Sequence, residues 1–337
     1  MKDTEINHDV LDHQLEVIKE FLDMEGVTEV WINQPQKLIY KKYTSADPVV
    51  VDMPQLTYQF LKQLAKTIAN YNSRKITEEN PILTGSLPEG QRVQVVMPPA
   101  VEKNTISFSI RIPSPVNKSL DELEAEGAFS ECKPATNELE PFEHDLVKFN
   151  KEGRIKEFIE LAVRSRRNII IAGETGSGKT TIAKSMIQSI PRNERLITLE
   201  SDTEIDLKDF PNKVHMLYSR EDNGKTFISP KQCLQACLRM NPSRILMAEI
   251  LGDEAWDYLK SINTGHAGSI TTMHANGALA AFEQFTALVK ESPRGANLDH
   301  KYIKSRLIST VDVIFFYSNM KLVNIYYEPT RKHEYLD

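Results

Sequence analysis

The eight residues Gly173-Glu174-Thr175-Gly176-Ser177-Gly178-Lys179-Thr180 restrict this chain more than any other stretch. A G-x-x-x-x-G-K-[ST] run works only between a buried strand and the helix that follows it. Both flanks are written in the sequence: Asn168-Ile169-Ile170-Ile171-Ala172 is an apolar strand, and Ile182, Met186 and Ile190 recur on one helical face. Glycines at 173, 176 and 178 let the backbone turn its N–H groups inward, and the helix adds its positive N-terminus. Such a cradle takes a nucleoside triphosphate. Lys179 is expected between the β- and γ-phosphates and the Thr180 hydroxyl on Mg²⁺, so the expected binding set is Gly173, Thr175, Gly176, Ser177, Gly178, Lys179, Thr180 and Thr181.

A length of 337 residues allows two domains, each with its own core. The 41 Lys and Arg against 47 Asp and Glu give a formal charge of −6, which argues against a dedicated nucleic-acid binder. Three cysteines make no disulfide framework, and Cys233 and Cys237, one helical turn apart, read as core residues rather than a zinc pair. Neither a secretory signal nor a membrane-length apolar run is visible, so a cytoplasmic or peripherally attached protein is expected.

The first third reads as an α+β domain over residues 1–114. Leu11, Leu15, Ile18 and Leu22 mark a helix ended near Gly26, and strands follow at Val27–Asn33 and Leu38–Tyr43. Pro54 opens a second helix with Leu61, Leu64, Ile68 and Tyr71 inward, before alternating strands at Arg92–Met97 and Thr105–Ile112. Pro113, Pro115, Pro134 and Pro141 punctuate an acidic stretch read as a linker over 115–149. From 150 to 337 the pattern is α/β, with strands at Asn168–Ala172, Leu196–Leu199, Arg244–Ala248, Ser269–Met273 and Val311–Phe316. Their alternation with helices predicts a mostly parallel sheet with ligands at the strand carboxyl ends.

Two carboxylates follow predicted strands. Glu249, after Arg244–Ala248, stands where a Walker B acid would hold Mg²⁺ or polarise the attacking water; Glu200, after Leu196–Leu199, is the rival for water activation. His274 ends the strand inside Gly265–Ala275, within reach of a γ-phosphate or a neighbouring acid, whereas His266 sits in a turn between glycines. A GTPase would carry N-K-x-D, but Asn117-Lys118 and Asn212-Lys213 lack the Asp; no L-S-G-G-Q signature is present either. ATP is the expected nucleotide.

These strings together resemble the type IV secretion-system traffic ATPases, hexameric motors encoded in VirB-type operons. Glu79-Asn80-Pro81-Ile82-Leu83, Gly90–Val96 and Ser109-Ile110-Arg111-Ile112-Pro113 resemble the family's N-terminal domain; Leu238-Arg239-Met240-Asn241-Pro242, Glu249 and Thr264–Ala275 resemble its Walker B and His boxes. The resemblance implies a C-terminal RecA-like P-loop domain and a homo-hexamer on the cytoplasmic side of the inner membrane, working with channel components. It leaves room for transient contact with a protein or DNA substrate. It also implies that ATP lies between the two domains of one subunit, so that Arg92 and Arg111 reach the phosphates and join Lys179, Glu200, Glu249 and His274 as catalytic groups. Two departures stand out. The acidic box reads Glu200-Ser201-Asp202-Thr203, with Asp202 one residue late, and Leu251 occupies the place of an Arg that Arg239 or Arg244 would have to replace. The rivals are a type II secretion or pilus ATPase, which typically carries a four-cysteine zinc module, a nucleotide-gated scaffold with little hydrolysis, and a DNA-translocating motor.

Overall fold

The helical stripe at Leu61, Leu64 and Ile68 and the alternation in residues 92–112 build the first of two layered units. The computed structural model describes residues 2–113, 118–134, 136–219 and 227–334. Strands β1 (Val27–Ile32), β2 (Lys37–Lys42), β3 (Val49–Asp52), β4 (Ile82–Ser86), β5 (Arg92–Val96) and β6 (Ser107–Arg111) form one sheet in the order β3-β2-β1-β6-β5-β4. Each neighbouring pair is antiparallel. Helices α1 (Lys2–Leu15), α2 (Lys19–Leu22) and α3 (Tyr58–Tyr71) bring Leu11, Ile18, Leu61, Leu64 and Ile68 into the core of this unit.

The first helix is shorter than its apolar stripe suggested. It stops at Leu15, yet Ile18, Phe21 and Leu22 still turn inward through α2, and Gly26 at φ +81° ends the segment. Likewise α3 starts at Tyr58 rather than Pro54, because the Thr57 hydroxyl accepts from the Phe60 N–H at 3.2 Å and fixes the helix start there. Strands β5 and β6 were expected to be half-buried. Both faces are covered instead: Val93 and Val95 join the first core, while Val96 joins that of the second unit, and Gln94, Ser107 and Ser109 are buried.

Pro115, Asn117 and the junction expected at 114/115 lie outside the described residues. Beyond them Ser119 caps α4 (Leu120–Ala125) with a reciprocal Glu122 bond. Leu146 of α5 (Pro141–Glu152) and Phe158 of α6 (Ile155–Arg164) pack into the second unit.

That unit is a seven-stranded sheet in the order β13-β12-β7-β11-β10-β8-β9. Its strands are β7 (Ile169–Gly173), β8 (Leu196–Glu200), β9 (Lys213–Leu217), β10 (Arg244–Ile250), β11 (Ile270–Met273), β12 (Val313–Ser318) and β13 (Lys321–Tyr327). All pairings are parallel except β12 with β13. Helices α5, α6 and α7 (Lys179–Ile187) cover one face. The other carries α8 (Pro230–Cys237), α9 (Glu254–Ile262), α10 (Ala280–Glu291) and α11 (His300–Thr310); α12 (Pro329–Glu334) follows β13. Apolar strands with helices on both sides are the expected product of the βα alternation. The five strands read from the sequence are all present, with ends moved by at most two residues. Strands β9 and β13 were not read: Lys213 and His215 interrupt the first, and β13 is an edge strand whose first five residues are exposed or half-exposed. Cys233 and Cys237 are buried in the core, and burial pushes the Cys233 thiol up to about 12. Among the described residues no helix is long and apolar enough to cross a membrane.

The two units meet along a buried polar seam. Arg195, just before β8, is 2 % exposed. Its Nε donates to the Met240 carbonyl at 2.9 Å, Nη1 to Asn33 Oδ1 at 3.0 Å and to Asn212 Oδ1, and Nη2 to Ser109 Oγ at 3.0 Å. The guanidinium lies 5.0 Å from the Trp31 ring. Glu29 on β1, 6 % exposed, shares this seam, and burial pushes its carboxyl up to about 7 against the attraction of Arg111 and Arg195. A carboxyl whose folded pKa exceeds its unfolded value makes the folded state hold the proton more tightly, so stability falls as pH rises from about 4.5 through 7. The full loss is on the order of 3 kcal/mol. Urea midpoints measured at pH 5 and pH 8 are expected to show that fall for the native chain and a flatter profile for Glu29→Gln; parallel profiles would remove Glu29 as the cause.

Candidate nucleotide site

Strand β7 delivers the chain to Gly173, and α7 starts at Lys179. Between them Gly176 and Gly178 adopt φ +73° and +99°, values that a Cβ would strain. The start of the loop is tight: a Cβ at Gly173 would run into the Tyr317 carbonyl oxygen. Thr175, Gly176, Ser177, Gly178, Lys179, Thr180 and Thr181 line a cleft of about 540 Å³ at the carboxyl end of the sheet, and Gly173 lies behind them in the strand. Lys179 is 7 % exposed, and its Nζ donates to the Gly173 and Glu174 carbonyls at 3.0 and 2.8 Å. Burial pulls its ammonium pKa down, and the charge of Glu249 opposes that pull. Among the described residues the buried Ser177 hydroxyl has no hydrogen-bond partner. An orphaned donor inside a glycine cradle suits a bound phosphate.

The opposite wall comes from β8, β10 and β11. A register shift between Met247 and Ile250 bulges β10 against β11, and the Thr272 hydroxyl donates to the Ala248 carbonyl at 2.8 Å. Bulges re-aim the side chain next to them. Here Glu249 enters the cleft, and His274 Nε2 stands 3.0 Å from its Oε1. The structure therefore brings together the phosphate loop, Glu249 and His274. Among the described residues no group of three His, Cys, Asp or Glu is arranged to hold a metal ion, so a cation here would depend on hydroxyl, carboxylate, water and phosphate oxygens.

Glu200 does not face the cleft. It is fully buried, its Oε2 accepts from the Glu204 and Ile205 amides at 2.7 and 2.8 Å, and its Oε1 stands 3.2 Å from His215 Nδ1. Burial pushes this carboxyl up, but the bonds from His215, Thr198 and the two amides outweigh it and hold the pKa below the usual range. A carboxylate so committed cannot activate water. It is a positioning residue that clamps the turn carrying Ser201, Asp202 and Glu204 into the cleft. Glu204 is the cleft-lining acid that sequence reasoning passed over; its place four residues beyond Glu200 was the available signal.

Arg92 and Arg111 are a second correction. They pair in register across β5 and β6, with Glu29 opposite Arg111 on β1, so the three share one face of the first sheet. That face opens on a separate cavity of about 730 Å³ with Arg74, Arg239 and His266, and among the described residues none lines both cavities. Arg92 and Arg111 thus do not reach the phosphate loop of their own chain. Neither expected substitute stands in for the Arg missing at Leu251: Arg239 faces the second cavity, and the buried Arg244 binds Glu194 through two bonds of 2.8 and 2.7 Å. His266 is structural. Its Nδ1 donates to the Pro242 carbonyl at 3.0 Å, and burial lowers its pKa.

A family model described as Type II/IV secretion system protein matches residues 12–316. The chain belongs to that family. Curated relatives include the type IV secretion system protein VirB11 of Bartonella henselae, 41% identical over 95% of this chain and 93% of its own length. The VirB11 protein of Brucella suis is 36% identical over 94% of this chain and 90% of its own length. The crystal structure of the Brucella suis VirB11 ATPase, solved with sulphate, superposes with a TM-score of 0.90 at 34% identity, covering 96% of this chain and 99% of that one. Within the Type II/IV family the chain is therefore a type IV secretion traffic ATPase, and its two-unit α/β fold is that of its relatives.

Proposed function

We propose that this chain hydrolyses Mg·ATP in the phosphate-loop cleft as one subunit of a hexameric ring, peripheral to the inner membrane, that drives a type IV secretion channel. The observation that carries the reading is the Glu249–His274 pair, 3.0 Å apart, across the cleft from Lys179 and Thr180. On binding, Lys179 leaves the Gly173 and Glu174 carbonyls for β- and γ-phosphate oxygens, and the loop amides and the α7 N-terminus take the remaining charge. Thr180 and Glu249 would hold Mg²⁺, which neutralises phosphate charge when bound. Glu249, steadied by His274, orients the water whose oxygen attacks the γ-phosphorus as the bond to the bridging oxygen breaks.

Since Arg92 and Arg111 open on a different cavity from the loop, they serve the nucleotide of a neighbouring subunit in this reading. Mixing variants tests ring and site together. Lys179→Ala alone and the Arg92→Ala/Arg111→Ala double variant alone are expected to release little phosphate. An equal, exchanged mixture recovers about a quarter of native turnover, because a quarter of its sites combine an intact loop with intact neighbouring arginines. A mixture as inactive as its parts would return the arginines to their own chain. Native protein that releases no phosphate at all would sink the motor reading.

A further inference from the structure

We propose that Met320, at the tip of the β12–β13 hairpin, is the contact for the nucleobase in the phosphate-loop cleft and reads a purine by apolar contact rather than by hydrogen bonding. This rests on the reading above that a triphosphate lies in the loop. The sheet order gives the direction. Strands β11, β10 and β8 lie on one side of β7 and bring Glu249, His274 and the Glu204 turn, whereas β12 and β13 lie on the other. A triphosphate laid across the α7 N-terminus with its γ end toward those acids carries its nucleoside toward the hairpin. There Met320 is the lining side chain.

The hairpin is built onto the loop. Ser318 pairs with Lys321, and the two residues between them, Asn319 and Met320, adopt φ 51° and 60°. A two-residue turn with both centres left-handed usually takes Gly at the second. A Met in that place holds a backbone conformation that residues with a Cβ rarely adopt. Two contacts hold it: the Met320 N–H donates to the Ser177 carbonyl at 3.1 Å, and its Sδ lies 2.9 Å from where a Cβ on Gly178 would stand. Even so, Met320 is 63% exposed. A flexible thioether stapled to the loop, and left uncovered at the cleft edge, presents the surface on which an aromatic ring gains contact.

Equilibrium binding of ATP, with steady-state turnover and inhibition by inorganic tripolyphosphate, tests the proposal. The tripolyphosphate carries the phosphates and no base. Met320→Ala is expected to weaken ATP binding and raise KM about threefold to tenfold, with GTP affected equally, kcat little changed and tripolyphosphate inhibition as in the native protein. Met320→Leu should restore most of the affinity. Unchanged ATP affinity in Met320→Ala would overturn the proposal, and so would an equal weakening of tripolyphosphate, which would make the side chain a brace for the loop. Native protein that binds tripolyphosphate but not ATP would also overturn it. Native protein that binds neither would instead remove the reading of the cleft on which it rests.

Discussion

Lys179→Ala is expected to lower ATP turnover by at least about a hundredfold while leaving the fold in place. In the proposed reading the side chain has two sets of partners, used in turn. In the structure its Nζ is held by the Gly173 and Glu174 carbonyls, so truncation removes two bonds at the edge of a cleft that water can enter. That change costs about 1 kcal/mol or less in stability. The nucleotide-bound state loses far more. Among the described residues Lys179 is the one lysine lining the cleft, and a charge-assisted bond to a transferring phosphoryl group strengthens as charge develops on it. Phosphate release under saturating Mg·ATP, alongside a thermal melt, separates the two effects. Turnover within a few-fold of native in a well-folded variant would end the assignment of this loop as the hydrolytic site.

Arg195→Ala is expected to destabilise the chain by about 3 kcal/mol and to loosen the first unit from the second. Four acceptors on four segments converge on this guanidinium, and Trp31 covers its face. Alanine leaves Asn33, Ser109, Asn212 and the Met240 carbonyl buried or half-buried without that partner, and leaves Glu29 without one of the three positive charges, Arg111, Arg195 and Lys41, that act on it. The gain from no longer burying an ion offsets part of the loss, which is why the figure sits at the low end for broken buried pairs. Lysine keeps the charge but not the planar fork, so Arg195→Lys falls between native and alanine. Urea unfolding followed by Trp31 fluorescence, with limited proteolysis in the segment after residue 118, gives the readout. A change below about 0.5 kcal/mol with unaltered cleavage would show that the seam is ornamental to stability.

What the sequence disclosed was local. The phosphate loop, five of the seven strands of the second sheet and the places of Glu249 and His274 are short-range patterns whose chemistry sits at strand ends, where βα alternation puts it. What stayed hidden depended on contacts between distant segments. Glu200 looked like an exposed acid after a strand until the chain wrapped its 204 and 205 amides over it. Arg92 and Arg111 alternate like a solvent-facing row, and nothing in that alternation says which cavity the row overlooks. Arg195 carries no motif at all. Its importance arises only when Asn33 and Ser109 from one sheet meet Asn212 from the other. Met320 was unreadable because β13 is an exposed edge strand without a burial pattern.

The seam has a mechanical corollary. Val96 is embedded in the rear core, Val101 forms a bridge with Met216, and a buried guanidinium bolts the front sheet to β8. Front and back halves of one polypeptide therefore travel as a single lever. In the proposed ring, any stroke powered by phosphate release would have its pivot where one copy abuts the next, and force would pass around the assembly from copy to copy.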